Sequence, residues 1–387
     1  VQLKSDIENK VGVDKFIKEC EALAKGNETV WIDLYKQLGA WRGWLKPYMT
    51  FENSYLESGW WTLKQWFDKG LLVEGYKSGY WCSRCETVLA GYEVSDSYKN
   101  IEDISVFVKF PVRGKENEYL LVWTTTPWTL PANVVIAVHP DEDYVKVEVD
   151  KEILIIGEKR LEILGEKAFT VLEKMKGKGL EGVTYEPLLD IPLQKELLKN
   201  KNTHQVIVSV PIMKKRVVSK TLTKKENTQK EEFGHIVEME SGTGLVHIAP
   251  GHGEVDNRIG KHYGLPEPSP VNESRELTED AGQFAGNYVR VANPLIITHL
   301  REKLLLFKDE KIVHSYPLCW RCKTPLIFRM SHQWFVTLDS LRQQMTKENE
   351  QVRWLPEFAR ERFRNVLEEA PDWAITRQRY WGIPLPV

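Results

Sequence analysis

Four of the five cysteines fall into two Cys-x-x-Cys pairs, Cys82-Ser-Arg-Cys85 and Cys319-Trp-Arg-Cys322. No other feature limits the fold as much. Two sulfurs three residues apart on a tight knuckle can face one tetrahedral ion, and two knuckles complete a four-thiolate zinc site of the structural kind, with no open position for catalysis. The flanks, Cys85-Glu-Thr-Val-Leu and Cys322-Lys-Thr-Pro-Leu, share a Thr and a Leu after the second cysteine. Disulfides and two unrelated half-sites are the other readings. The first is disfavoured where no secretory leader is expected. Between Cys85 and Cys319 lie 233 residues, where a simple zinc ribbon has roughly 15 to 20. If both pairs hold one ion, everything between them leaves and returns to the same place. Cys20, at helical spacing with Phe16, Ile17, Leu23 and Ala24, reads as packed core.

The 14 tryptophans support an insertion, because none lies between Trp128 and Trp320. The chain opens at Val1 without a positively charged, apolar leader, which suggests a piece of a longer protein. Its 387 residues, 42% hydrophobic and 28% charged, exclude the disordered class. No apolar run approaches the ~20 residues of a membrane span. A net charge of -2 argues against a global nucleic-acid-binding field, so any such contact must be local. Lys214 to Glu232 is polar and rich in lysine. It reads as a solvated loop, with a nucleic-acid contact as the alternative.

Periodicity divides the chain further. Helices are expected from Asp14 to about Lys25, from Thr29 to a stop at Gly39, and from about Phe51 to Lys69. From residue 100 the period becomes two. Strands are expected at Ile104–Phe110, Tyr119–Trp123, Val134–Val138, Tyr144–Val149, Glu152–Ile156, Gln205–Val210, Ile236–Met239 and Leu245–Ile248, with helices near Arg160–Met175 and Pro294–Leu305. The fold class is α+β. Strands and turns this dense do not suit regular βαβ units.

Two stretches in the strand-rich middle carry chemistry. Trp123-Thr124-Thr125-Thr126-Pro127-Trp128-Thr129-Leu130-Pro131-Ala132-Asn133 puts three threonines and a proline-stiffened turn at a strand end. Hydroxyls and backbone N–H groups there suit a hydroxyl, phosphate or carbonyl oxygen, although a plain β-turn explains the pattern equally well. Gly242-Thr243-Gly244-Leu245-Val246-His247-Ile248-Ala249-Pro250-Gly251-His252-Gly253-Glu254-Val255-Asp256 carries two imidazoles and a carboxylate. Gly251 and Gly253 would let the backbone turn tightly around His252, and Asp256 would fall in the first turn of a helix. The three groups suffice for acid/base work or for gripping an ammonium group, and their spacing fits no standard zinc signature. Asp256 could instead simply complement a helix dipole.

Together the two stretches resemble the signature segments of the editing domain of isoleucyl-tRNA synthetases. Valyl and leucyl relatives carry the second in similar form, and the Trp-Thr-Leu-Pro-Ala-Asn continuation points to the isoleucyl family. The resemblance extends to Tyr55-Leu56-Glu57-Ser58-Gly59-Trp60-Trp61, to His314 through Leu326 and to Arg377-Gln378-Arg379-Tyr380-Trp381-Gly382. The synthetic-site motifs His-Ile-Gly-His and Lys-Met-Ser-Lys-Ser do not occur. The resemblance therefore implies flanking helical pieces of a Rossmann-type catalytic domain at 1–76 and 333–387. A four-cysteine zinc neck occupies 77–98 with 314–332, and a strand-rich, barrel-like editing domain occupies 99–313. ATP would serve only the full-length enzyme.

The resemblance also implies a reaction. A hydrophobic pocket rejects one missing methylene only weakly, and isoleucine against valine is the usual illustration of that limit. A second pocket would hydrolyse the ester of Val-tRNA(Ile). Asp256 would grip the α-ammonium; Thr124, Thr125 and Thr126 would position ester and water. Trp123, Asn133 and His252 would contact substrate, and His247 would shape the size sieve. Cys82, Cys85, Cys319 and Cys322 would hold zinc. The expected partners are the acceptor end of tRNA(Ile) and the rest of the synthetase in cis, in a monomeric, cytoplasmic protein without membrane contact. Competing readings are a valyl or leucyl editing domain, or a zinc-stabilised tRNA-docking module inactive in isolation.

Overall fold

The computed structural model describes residues 4, 6–40, 48–94, 96–211, 213–215, 232–370 and 372–386. In chain order they form α1 (Val13–Gln37), α2 (Asn53–Asp68), β1 (Leu72–Cys82), β2 (Thr87–Leu89), β3 (Tyr98–Pro111), β4 (Glu118–Thr124), β5 (Val135–Val138), β6 (Asp143–Val149), β7 (Glu152–Gly157) and β8 (Thr170–Lys176). There follow α3 (Pro192–Leu197), β9 (Val206–Val208), β10 (Met213–Lys215), β11 (Glu232–Gly234), β12 (Leu245–Ile248), α4 (Glu254–Tyr263), α5 (Val289–Glu302), β13 (Leu306–Pro317), β14 (Ile327–Val336), α6 (Arg342–Gln351), α7 (Ala359–Glu369) and β15 (Trp373–Ala374). The chain divides into two compact units. One comprises Val1–Lys77, Arg84–Ala90 and Ser331–Val387, the other Ser78–Ser83 and Gly91–Met330.

In the first unit, a single helix replaces the expected pair. α1 runs unbroken for 25 residues through Gly26. An interior glycine costs only about 1 kcal/mol, which good helix formers on either side override. The left-handed conformation that ends a helix appears instead at Gly39, with φ of 70°. α1 has no buried residue, so Cys20 is only half covered and does not sit in a core. The helix expected over Phe51–Lys69 is α2.

The second unit holds the main core, built on two sheets. A six-stranded sheet has the order β13-β3-β4-β7-β6-β8, and a three-stranded sheet the order β12-β5-β9. Phe107, Leu121, Val145, Val147, Leu154 and Ile156 pack on the first, and Val135, Ala137, Ile207, Ile248 and Ile259 make a second cluster. The α+β class is as expected. Each sheet is open in its hydrogen-bonding order, so the barrel-like closure expected for this region is replaced by separate sheets. β13 runs antiparallel to β3 from Leu306↔Val108 to Pro317↔Tyr98, which sets the start and end of this long excursion side by side.

Two local expectations are corrected. The helix expected over 160–175 is a 3-10 turn at Glu158–Leu164 followed by β8, because Gly165 at φ 64° ends the turn and Thr170–Lys176 pair with β6 at the sheet edge. The strand expected over Ile236–Met239 is irregular, with Ile236 N–H donating to Ser209 Oγ at 3.0 Å. Of the basic stretch, Arg216, Lys220, Lys224, Lys225 and Lys230 lie outside the described residues, as do Trp41 and Trp44. No helix among the described residues is long and apolar enough to cross a membrane.

Candidate active site

β4 carries the chain out of the large sheet at Thr124, and a 3-10 turn over Pro127–Ala132 returns it to β5. β12 pairs with β5 in the register His247↔Ile136, then Ala249–Gly253 lead into α4, whose first turn contains Asp256. Both signature stretches thus meet at one place. They line a cleft of about 340 Å³ whose walls include Trp123, Thr124, Thr125, Thr126, His247, His252 and Asp256. Asn133 does not line it; this side chain is buried behind His247.

Hydrogen-bond directions inside the site follow from donor counting. The Thr129 hydroxyl has one hydrogen, and Thr126 O, 2.8 Å away, can only accept it. His247 Nε2 at 2.9 Å and Thr126 Oγ1 at 3.0 Å must therefore both donate to Thr129 Oγ1. With its hydrogen used, Thr126 Oγ1 accepts from Thr124 Oγ1 at 3.3 Å, and Thr124 Oγ1 accepts from Thr126 N–H at 3.1 Å. The hydroxyls of Thr124 and Thr126 consequently offer lone pairs, not hydrogens, to the cleft. His247 is the Nε2–H tautomer. His252 is the opposite one, because its Nδ1 lies 3.2 Å from the Phe328 carbonyl and must donate.

Burial holds both rings neutral. It pushes His247 down to about 4, with the neighbouring His252 acting in the same direction. It also pushes His252 down to about 4, against the hydrogen bond to Phe328 and with the Arg329 charge. Asp256 is half-buried at the wall of the cleft, and desolvation raises its carboxyl to about 6 even though the Ala249 N–H donates to Oδ2 at 2.9 Å. Among the described residues lining the cleft, the charged side chains are Glu238 and Asp256, with no lysine or arginine. Such a site suits a donor-rich cation better than a phosphate.

The sequence pattern does not single out Thr129 or Glu238. Thr129 lies inside the threonine motif, where its fixed place after the proline turn could have flagged it. Glu238 lies within the irregular segment over 236–239 and carries no such signal.

The four knuckle cysteines also come together. Their Sγ atoms all lie within 4.8 Å of one another, with Cys82 and Cys319 buried and Cys85 and Cys322 half-buried. Tetrahedral thiolates at a Zn–S distance of ~2.3 Å would sit ~3.8 Å apart, so the donor set fits a metal of that type. The residue after each second cysteine, Glu86 at φ 45° and Lys323 at φ 59°, has left-handed backbone. The two knuckles therefore share a shape that neither non-glycine residue advertises.

A family model described as tRNA synthetases class I (I, L, M and V) matches residues 2–387. The chain belongs to that family. It is 46% identical over 398 residues to the isoleucine–tRNA ligase of Pyrococcus furiosus, covering 100% of this chain and 35% of that protein. The isoleucine–tRNA ligase of Sulfolobus acidocaldarius is 42% identical over 392 residues, again with 100% and 35% coverage. The chain thus spans about a third of the length of these curated relatives. Among solved structures, the P. knowlesi cytosolic leucyl-tRNA synthetase editing domain covers 53% of this chain and 95% of its own at 10% identity and a TM-score of 0.35, a likeness too low to bear on the fold.

Proposed function

We propose that this chain is the editing region of an isoleucyl-tRNA synthetase and hydrolyses the ester of Val-tRNA(Ile). The observation that carries the reading is an acceptor-rich cleft in which Asp256 and the Thr124–Thr126 turn face one another's space without a basic residue. An α-ammonium beside Asp256 would restore the ionised carboxylate that burial disfavours, and so fix the substrate by its charge. Lone pairs on Thr124 and Thr126 would orient the attacking water and the ribose hydroxyls of the terminal adenosine. Water adds to the ester carbonyl carbon, the bond to the ribose oxygen breaks, and that oxygen takes the proton. Trp123 and His252 would border the bound aminoacyl-adenosine, and Asn133 acts through His247. His247 would set the size limit that excludes isoleucine.

The identity of nearly half the residues with isoleucine–tRNA ligases favours the isoleucyl reading over a valyl or leucyl one. Zinc would be held by Cys82, Cys85, Cys319 and Cys322 as a closed structural ion, away from the hydrolytic chemistry. The acceptor end of tRNA(Ile) and the rest of the synthetase in cis are the proposed partners, in a cytoplasmic monomer, with ATP confined to the remainder of the enzyme. A deacylation panel tests the reading: the chain is expected to hydrolyse Val-tRNA(Ile) and spare Ile-tRNA(Ile). Equal rates on both, or no hydrolysis of either, would overturn it.

A further inference from the structure

Behind the cleft, a fully buried phenol is connected to the site through a single amide. Tyr185 is 0% exposed, and its hydroxyl donates to Asn133 Oδ1 at 2.7 Å. The Val135 carbonyl, 3.2 Å from Nδ2, can only accept, so it fixes which way the Asn133 amide points, and the Tyr185 hydroxyl completes the arrangement by donating to Oδ1. The same Nδ2 faces His247 Nδ1 at 3.5 Å. Opposite an N–H, Nδ1 must keep its lone pair, so the ring proton sits on Nε2, where Thr129 Oγ1 needs a donor. Reversing the amide would set Oδ1 against His247 Nδ1 and draw the proton there. Thr129 Oγ1 would then face an acceptor at Nε2 with its only hydrogen already committed to Thr126 O, and the whole threonine chain would lose its direction.

We propose that Tyr185 is a positioning residue for the hydrolytic site: by holding Asn133 Oδ1 it reinforces the amide direction that favours the Nε2–H form of His247, and so helps keep the Thr124 and Thr126 lone pairs turned toward substrate. The nearest surroundings of the phenol agree with a role beyond packing. Its ring meets Phe110 edge-on at 5.3 Å and His204 at 5.6 Å between centroids, contacts that a phenylalanine would keep. His204 is itself tied to Gln194 Oε1 at 2.6 Å, and the Gln194 amide donates to Pro131 O and Asn133 O. The backbone around Asn133 is therefore held by groups other than Tyr185. Removing the hydroxyl alone leaves Asn133 Oδ1 without its donor, so the amide's direction then rests on the Nδ2 bond to Val135 O.

The inference rests on the proposed hydrolysis for its kinetic part only. Long-range ¹H–¹⁵N spectra of the whole chain read the tautomers of His247 and His252 directly, with no substrate present. In Tyr185→Phe, the His247 ring nitrogens are expected to shift toward a tautomer mixture while His252 keeps its Nδ1–H signature, which also reports an intact fold. Asn133→Asp, which puts an acceptor opposite Nδ1, is expected to move the His247 proton to Nδ1. With Val-tRNA(Ile), Tyr185→Phe should lower kcat about tenfold with KM little changed. An unchanged His247 spectrum in both variants overturns the relay. A changed spectrum in a chain that hydrolyses nothing would leave the relay standing and refute the hydrolase reading.

Discussion

The carboxyl of Asp256 is set against its own burial. Desolvation raises it to about 6, whereas an aspartate in the unfolded chain titrates near 3.8. A carboxyl whose folded value is raised binds more protons folded than unfolded between those values. It therefore favours the folded state most below pH ~4 and loses that contribution as pH climbs through about 6. The difference is on the order of 1–3 kcal/mol. Asp256→Asn removes the charge but keeps an oxygen for the Ala249 N–H, so at pH 7 the variant should be more stable than the parent by that amount, and the advantage should vanish near pH 4. Deacylation by the parent should fall as pH drops through about 6, and the variant should be inactive at every pH. Unfolding curves for the two proteins from pH 4 to 7 decide the matter; parallel curves would show that the carboxylate is not strained. The sequence located this residue within its signature, and so identified the group. Its desolvation was not legible, because the residues that share the cleft with it come from distant stretches of the chain, the turn after β4 among them.

Glycines at the element scale show why a pattern can be read correctly for the wrong reason. Gly251 and Gly253 looked like turn-makers around His252, yet neither has left-handed backbone. Gly251 is required for space: a Cβ there would lie 2.1 Å from the Pro268 carbonyl oxygen. At Gly26, a Cβ would meet nothing within 4 Å. The same substitution should then have opposite signs at the two places. Gly26→Ala should stabilise its unit by up to about 1 kcal/mol through helix propensity, while Gly251→Ala should cost about 2–3 kcal/mol by overpacking the loop that carries His252. Chemical denaturation of each variant measures both, and destabilisation at Gly26 would contradict the unbroken helix. Most strands were legible because alternating apolar residues such as Val106, Val108 and Phe110 leave little choice of structure. β8 was not, since Thr170–Lys176 lies at an exposed edge where burial imposes no period and Val171 and Leu172 remain about half exposed.

At the scale of the whole molecule, the cysteine spacing led to an inserted region by assuming that a metal brings its ends together. The ladder between β3 and β13 changes how much the metal must do. Closing a flexible loop of 233 residues costs roughly (3/2)RT ln n, or about 5 kcal/mol beyond a constant. But Tyr98 is already paired with Pro317, so the paired strands bear most of that closure. What remains for the metal is a segment of about a dozen residues between Cys85 and the ladder, for which the same expression gives only about 2–2.5 kcal/mol. Removal of zinc should thus loosen the two knuckles without releasing the sheet behind them. Elemental analysis is expected to find close to one zinc per chain, and a chelator to abolish it. The lost stability should be nearer 2 than 5 kcal/mol, with the Val-tRNA(Ile) deacylation of the chelated chain largely retained. A chelated protein that unfolds as a whole would mean that the ladder depends on the ion, and a chain that binds no zinc would mean that the sulfurs meet for packing alone.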